Sequence, residues 1–237
     1  MKTRIKSWKS PSLGREMNLL IAGEEGTPVI VFPSAFGNNS EWKDHGALDA
    51  LEEQIDLGYN QLFCLDSFAE ECFLNDTLDP VKRMVRFNHY QDYIMDEVLP
   101  FISEENSNPF IITTGVALGA YAALLMALKF PTNFHKVISL SGYFDIREHM
   151  GDVLDDHIYF NNPVEFIPNL NDDKLLGLIN SVDIRLLNYK NDPTREKTRK
   201  MSDILWLKFI EHEHYVWEEE AENMWDIAPN MLKDNLF

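Results

Sequence analysis

Residues 115–119 read Gly-Val-Ala-Leu-Gly, a turn bracketed by two glycines. Before it, Phe110–Thr114 is short, apolar and β-branched, the pattern of a buried strand. After it, 120–130 is rich in Ala and Leu, both good helix formers, and Pro131 closes the run. Strand, tight glycine turn and helix form the frame of the nucleophile elbow G-x-S-x-G. The central position here is Ala117, not serine. Acyl transfer through that frame needs a nucleophile, a base to take its proton, and a group to orient the base. Ala117 occupies the nucleophile slot and has no oxygen. Asp192 follows the strand expected over 183–189 and occupies the acid slot. The base belongs in the loop after Trp217, and that loop holds no histidine; His212 and His214 fall in the strand expected before it.

The elements that must position these residues alternate along the chain. Strands are expected over 4–8, 16–22, 27–33, 61–65, 110–114, 136–140, 183–189 and 212–217. Helices are expected over 42–56, 81–104, 120–130, 193–210 and 221–236, with a kink or early stop at Pro100. Strands alternating with helices predict a mostly parallel sheet covered on both faces. The first two strands, joined by a short turn, should be antiparallel. Ligands of such sheets gather at the C-terminal strand ends. Those ends hold Ser34-Ala35, Asp66-Ser67, Ala117, Ser141-Gly142 and Asn191-Asp192.

Composition narrows the classes of function. The 237 residues fit one α/β domain, 1–237, and 45% hydrophobic content supplies a sizeable core. A net charge of −18 argues against nucleic acid and anionic membrane surfaces. No apolar run is long enough to span a bilayer, and the basic start lacks the apolar stretch of a secretory signal. With two cysteines only, a cytoplasmic protein is expected. No spacing of His, Cys, Asp and Glu suggests a metal, and no glycine-rich phosphate loop suggests a nucleotide cofactor.

Several longer segments carry a resemblance: WKSPSLGREMNLL, VIVFPSAFGNNSEWKDHG, QLFCLDS, TGVALGAYAA, VISLSGYFDIR and YFNNPVEFIPNL. Through them the chain resembles, nearly end to end, a bacterial putative-esterase family of the α/β-hydrolase superfamily, related to esterase D. That resemblance implies a Ser-His-Asp esterase on eight strands. Carried over by position, it puts the nucleophile at Ala117, the acid at Asp192 and the histidine at Asn223. The oxyanion donors would be backbone N–H groups near Ala35 and of Leu118. Two of three catalytic side chains are therefore replaced.

The chain reads first as a catalytically degenerate esterase homologue that binds a small acyl-ester-like ligand or acts as an interaction protein. The alternatives are a serine carboxylesterase changed from Ser to Ala at 117, and an enzyme with a relocated site using Ser34, Asp66 or His214. Asp192, followed by Pro193, has the competing role of capping the next helix.

Overall fold

The computed structural model describes residues 1–236. Eight strands are formed: β1 (Thr3–Lys9), β2 (Glu16–Ala22), β3 (Thr27–Phe32), β4 (Asn60–Leu65), β5 (Ile112–Val116), β6 (Lys136–Leu140), β7 (Asp183–Tyr189) and β8 (Glu213–Trp217). They make one sheet in the order β1-β2-β4-β3-β5-β6-β7-β8. The pairs β1–β2 and β2–β4 are antiparallel, and the remaining five are parallel. β5, which carries the glycine turn, thus lies in the middle, between β3 and β6. It starts and ends two residues later than the β-branched pattern suggests.

Alternate strand residues feed two cores, as a pleated sheet buried on both faces requires. Ile30, Phe32, Phe63, Leu65, Ile184 and Leu186 face one core. Val29, Val31, Leu62, Cys64, Leu187 and Tyr189 face the other. The second face is covered by α1 (Glu41–Asp44), α2 (Ala47–Ala50) and α3 (Glu52–Asp56), with the C-terminal helix described below. A single helix over 42–56 does not form, because Gly46 adopts left-handed backbone at φ 76° and interrupts it.

The first face is covered by α4 (Pro80–Tyr93), α5 (Leu99–Glu105) and α6 (Leu118–Lys129). α4 starts on Asp79, whose side chain accepts from the Lys82 N–H, with Pro80 at the first helical position. The disturbance expected at Pro100 is seen as a change of winding just before it. A π-turn over Ile94–Val98 leads without a break into α5, and Pro100, which has no N–H to donate to the preceding turn, lies at the start of α5. Glu97 in that π-turn accepts from Trp8 Nε1 at 2.7 Å, Ser10 Oγ at 2.8 Å and the Ser12 N–H at 3.0 Å, tying the β1–β2 turn to the helix.

α6 is buried all round, from Gly119 to Leu128, because the sheet lies under it and other helices pack over it. The chain continues through α7 (Arg147–Met150), α8 (Asp156–Tyr159), α9 (Pro163–Asn169), α10 (Asp173–Ile179) and α11 (Arg195–Leu207). It ends in α12 (Ala228–Asn235). The C-terminal helix is half the expected 221–236, since a 3₁₀ turn, Met224–Asp226, precedes it. Among the described residues, no helix is long and apolar enough to cross a membrane.

Candidate functional site

Ala117 joins β5 to α6 with φ 52° and ψ −111°, a conformation that L-residues rarely adopt. Holding a residue there costs on the order of 1–3 kcal/mol. The surroundings over-determine it. The Ala117 N–H donates to the Leu140 carbonyl at 3.0 Å, and the Ala117 carbonyl accepts from Tyr121 at 3.2 Å and Tyr143 at 3.4 Å. The flanking glycines allow the close packing. A Cβ on Gly119 would fall 2.5 Å from the Phe32 carbonyl oxygen and 2.6 Å from that of Pro33. A Cβ on Gly115 would meet the Gly119 backbone. This contact presses the start of α6 against the end of β3 and so brings Leu118 toward the loop that follows β3.

That loop, 33–40, is stapled by Glu41. Its buried carboxylate accepts from the Ser34 N–H at 2.8 Å and from Ser34 Oγ. The Asn39 N–H reaches Asp66 Oδ1 at 3.3 Å, while Asp66 Oδ2 accepts from the Asn18 N–H and side chain. Two cavities open beside the loop. One is apolar and small, about 30 Å³, with Phe32, Ser34, Phe68, Leu118 and Tyr121 in its wall. The other is polar, about 380 Å³, with Arg15, Ala35, Gly37, Asp66, Ser67 and Glu71. Ser67 and Phe68 belong to both walls, so the cavities adjoin there; Ala35 lies in the wall of the polar one and Leu118 in that of the apolar one. Ala117, Asp192 and Asn223 are in neither wall. Glu41 and Arg15 were not singled out from the sequence; an acid in a polar loop and an arginine beside a turn carry no local signature.

Asp192 is buried, 5% exposed, and its carboxylate is fully engaged. Oδ2 accepts from Ser141 Oγ at 2.6 Å and Asn188 Nδ2 at 2.7 Å; Oδ1 accepts from the Thr194 N–H at 2.8 Å and Thr194 Oγ1 at 2.7 Å. Those four bonds fasten the end of β6, β7 and the turn into α11 together. Ser141, strained at φ 53°, is held in this knot. The capping role is thus realised in part, with Thr194 rather than Asp192 as the residue preceding α11.

Asn223 is exposed and caps the short 3₁₀ turn. Its Oδ1 accepts from the Trp225 N–H at 2.9 Å, and the Asn223 N–H donates back to Asp226 at 3.0 Å. Both bonds are local. The Asn191 side chain anchors the same loop by accepting from the Ala221 N–H at 3.0 Å and donating to its carbonyl at 2.9 Å.

The three residues of a relocated site are not brought together by hydrogen bonds. Ser34 is held by Glu41, Asp66 by Asn18 and Asn39, and His214 Nε2 contacts Asn188 Oδ1 at 3.2 Å. Burial pushes the His214 imidazole below its ordinary pKa, so it is neutral at pH 7. His212, just before β8, is likewise pushed down by burial and contacts Ser202 Oγ at 2.7 Å.

A mostly parallel eight-stranded sheet, covered on both faces and with a strained strand-turn-helix at its middle, is the α/β-hydrolase fold. Within it the chain belongs to the family described as "Putative esterase", which matches residues 10–231. Among solved structures, a ferulic acid esterase superposes with a TM-score of 0.79 at 14% identity, covering 99% of this chain and 96% of that one. The S-formylglutathione hydrolase FrmB from Staphylococcus aureus gives 0.72 at 14% identity, with coverage of 99% and 95%. MPT51 (FbpC1) from Mycobacterium tuberculosis gives 0.70 at 16% identity, with coverage of 100% and 97%. No curated protein matches the chain in sequence.

Proposed function

We propose that this chain is an esterase-fold protein that has lost serine-esterase catalysis and retains a site for a small acyl-ester-like ligand. In this reading, Ala117 stands in the nucleophile slot, Asp192 in the acid slot and Asn223 in the histidine slot. The observation that carries it is the state of Asp192. A carboxylate offers about four lone-pair sites, and four donors from Ser141, Asn188 and Thr194 already occupy them. None is left to orient an imidazole. An esterase altered only at residue 117 would keep both its histidine and an available acid, so the altered-nucleophile alternative accounts for less.

The ligand's carbonyl oxygen would point toward the backbone N–H groups near Ala35 and of Leu118, which lie in the walls of the two adjoining cavities. Backbone donors persist when side chains change, so loss of catalysis does not require loss of binding. Short acyl esters should therefore bind without turning over. The test pairs a 4-nitrophenyl acetate assay and fluorophosphonate labelling with NMR titration of a non-hydrolysed ester analogue. Shifts around Ala35 and Leu118 without turnover or labelling are expected. Robust turnover abolished by replacing some serine would refute the proposal.

A further inference from the structure

Lys129, the last residue of α6, lies in the wall of a separate cavity of about 370 Å³, bounded by α4, the end of α6 and α8. Its ammonium donates to Gln91 Oε1 at 2.6 Å and Asn161 Oδ1 at 3.2 Å. Both partners are neutral amides, themselves buried. No ion pair to Lys129 is found among the described residues. Asp92 in the same wall acts on the ammonium through space but makes no contact ion pair with it, so this half-buried cation is neutralised only at a distance.

The ammonium also sets the direction of the surrounding hydrogen bonds. With its oxygen facing Lys129, Gln91 turns its NH₂ to Asn161 Oδ1 at 2.7 Å. Asn161 in turn donates to Asn88 Oδ1 at 2.6 Å and to the His157 carbonyl at 2.8 Å. Asn88 is left to present its NH₂ to His157 Nδ1 at 2.8 Å. A ring nitrogen that accepts is unprotonated, so in the neutral imidazole the proton resides on Nε2. The cavity therefore offers two donors with spare capacity, Lys129 Nζ and His157 Nε2–H. Asp92 of α4 and Asp156 of α8 line the same cavity. The walls are completed by Phe130 and by Phe160, which is 54% exposed.

We propose that this cavity binds a small zwitterion of the α-amino acid type with an apolar side chain. The ligand's carboxylate supplies the direct ion pair that Lys129 lacks and accepts from His157. Its ammonium faces Asp92 and Asp156, which would repel a bare anion. Its side chain covers the exposed ring of Phe160.

Burial holds the Lys129 ammonium down to about 8, against the opposing pull of Asp92. A carboxylate beside it raises that value again, so binding near pH 8 takes up protons and weakens as pH rises further.

The experiment is titration of the full chain with L-leucine, followed by calorimetry at pH 7 and by 15N NMR. Leucine is expected to bind and to shift residues 88, 129 and 157. N-acetyl-leucine and leucinamide, each lacking one charge, should bind at least about tenfold more weakly. At pH 8, calorimetry in buffers of different ionisation enthalpy should show proton uptake. Lys129→Met should abolish binding. Because that change also strips two buried amides of a donor, His157→Ala, at an exposed position, serves as the second variant and should weaken binding about tenfold. Absence of leucine binding overturns the proposal. So does N-acetyl-leucine binding as tightly as leucine, or His157→Ala and a folded Lys129→Met binding like the parent chain. None of these outcomes depends on residue 117.

Discussion

Ala117 carries backbone strain at the turn between β5 and α6, and its side chain has no oxygen. Glycine tolerates φ 52° freely, but it has more entropy to lose on folding, roughly 0.5–1 kcal/mol. Set against strain of roughly 1–3 kcal/mol, Ala117→Gly should stabilise the protein by about 1 kcal/mol. Urea denaturation would show a higher midpoint with an unchanged slope. Chemistry at the same residue should be harder to restore. Ala117→Ser with Asn223→His supplies a hydroxyl and an imidazole, yet Asp192 remains held by Ser141, Asn188 and Thr194. Triad members act as a unit. The double variant should therefore stay within about tenfold of Ala117→Ser alone in acetate-ester turnover. Adding Ser141→Ala frees one lone pair of Asp192 and should raise the rate further. Full activity from Ala117→Ser alone would mean that another group serves as the base.

Between elements, two contacts decide whether the site keeps its shape. The first is the approach of α6 to β3 at Gly119. The atoms that a methyl group there would meet are backbone carbonyls of Phe32 and Pro33, which cannot rotate away. Gly119→Ala should thus cost at the upper end of overpacking, about 3 kcal/mol, read from the same denaturation curves. The second is Glu97 in the π-turn. Its burial raises the carboxyl pKa, but hydrogen bonds from Trp8, Ser12 and Ser10 outweigh this and bring it below the ordinary 4.5. A depressed folded pKa contributes stability above the unfolded value and loses it as pH falls through the folded one. Glu97→Gln should lower stability at neutral pH and flatten its decline below pH 4.5. Parallel curves for the two proteins below pH 4.5 would exclude this role.

For the whole molecule, charge is the dominant long-range property. At −18, the folded chain repels itself, and salt screens that repulsion over a Debye length of about 8 Å at 0.15 M. The melting temperature should rise as sodium chloride is added from low ionic strength. Surface ion pairs such as Lys190–Glu220 and Arg199–Glu196 weaken under the same conditions, but exposed pairs contribute little. A melting temperature that falls with salt would mean that these pairs outweigh the net repulsion.

What the sequence by itself determined was set by short-range sterics. An unbroken apolar run such as Val29–Phe32 specifies a strand buried on both faces. Two glycines around Ala117 mark the tight turn between strand and helix. The broken helix over 42–56 and the π-turn before Pro100 were not legible, because the apolar spacing of 3.6 continues across both breaks. Nor was the pairing of β2 with β4, which joins segments of chain about forty residues apart. The state of the candidate site was decided by tertiary structure alone. Asp192 looks the same in sequence whether it orients a histidine or fastens strands. Its donors include Ser141, 51 residues away, and they arrive only when β6 and β7 pair in register. The Lys129 cluster likewise depends on α4, α6 and α8 meeting. A buried polar group takes whatever partners packing places beside it, and that is a property of the fold rather than of any local stretch.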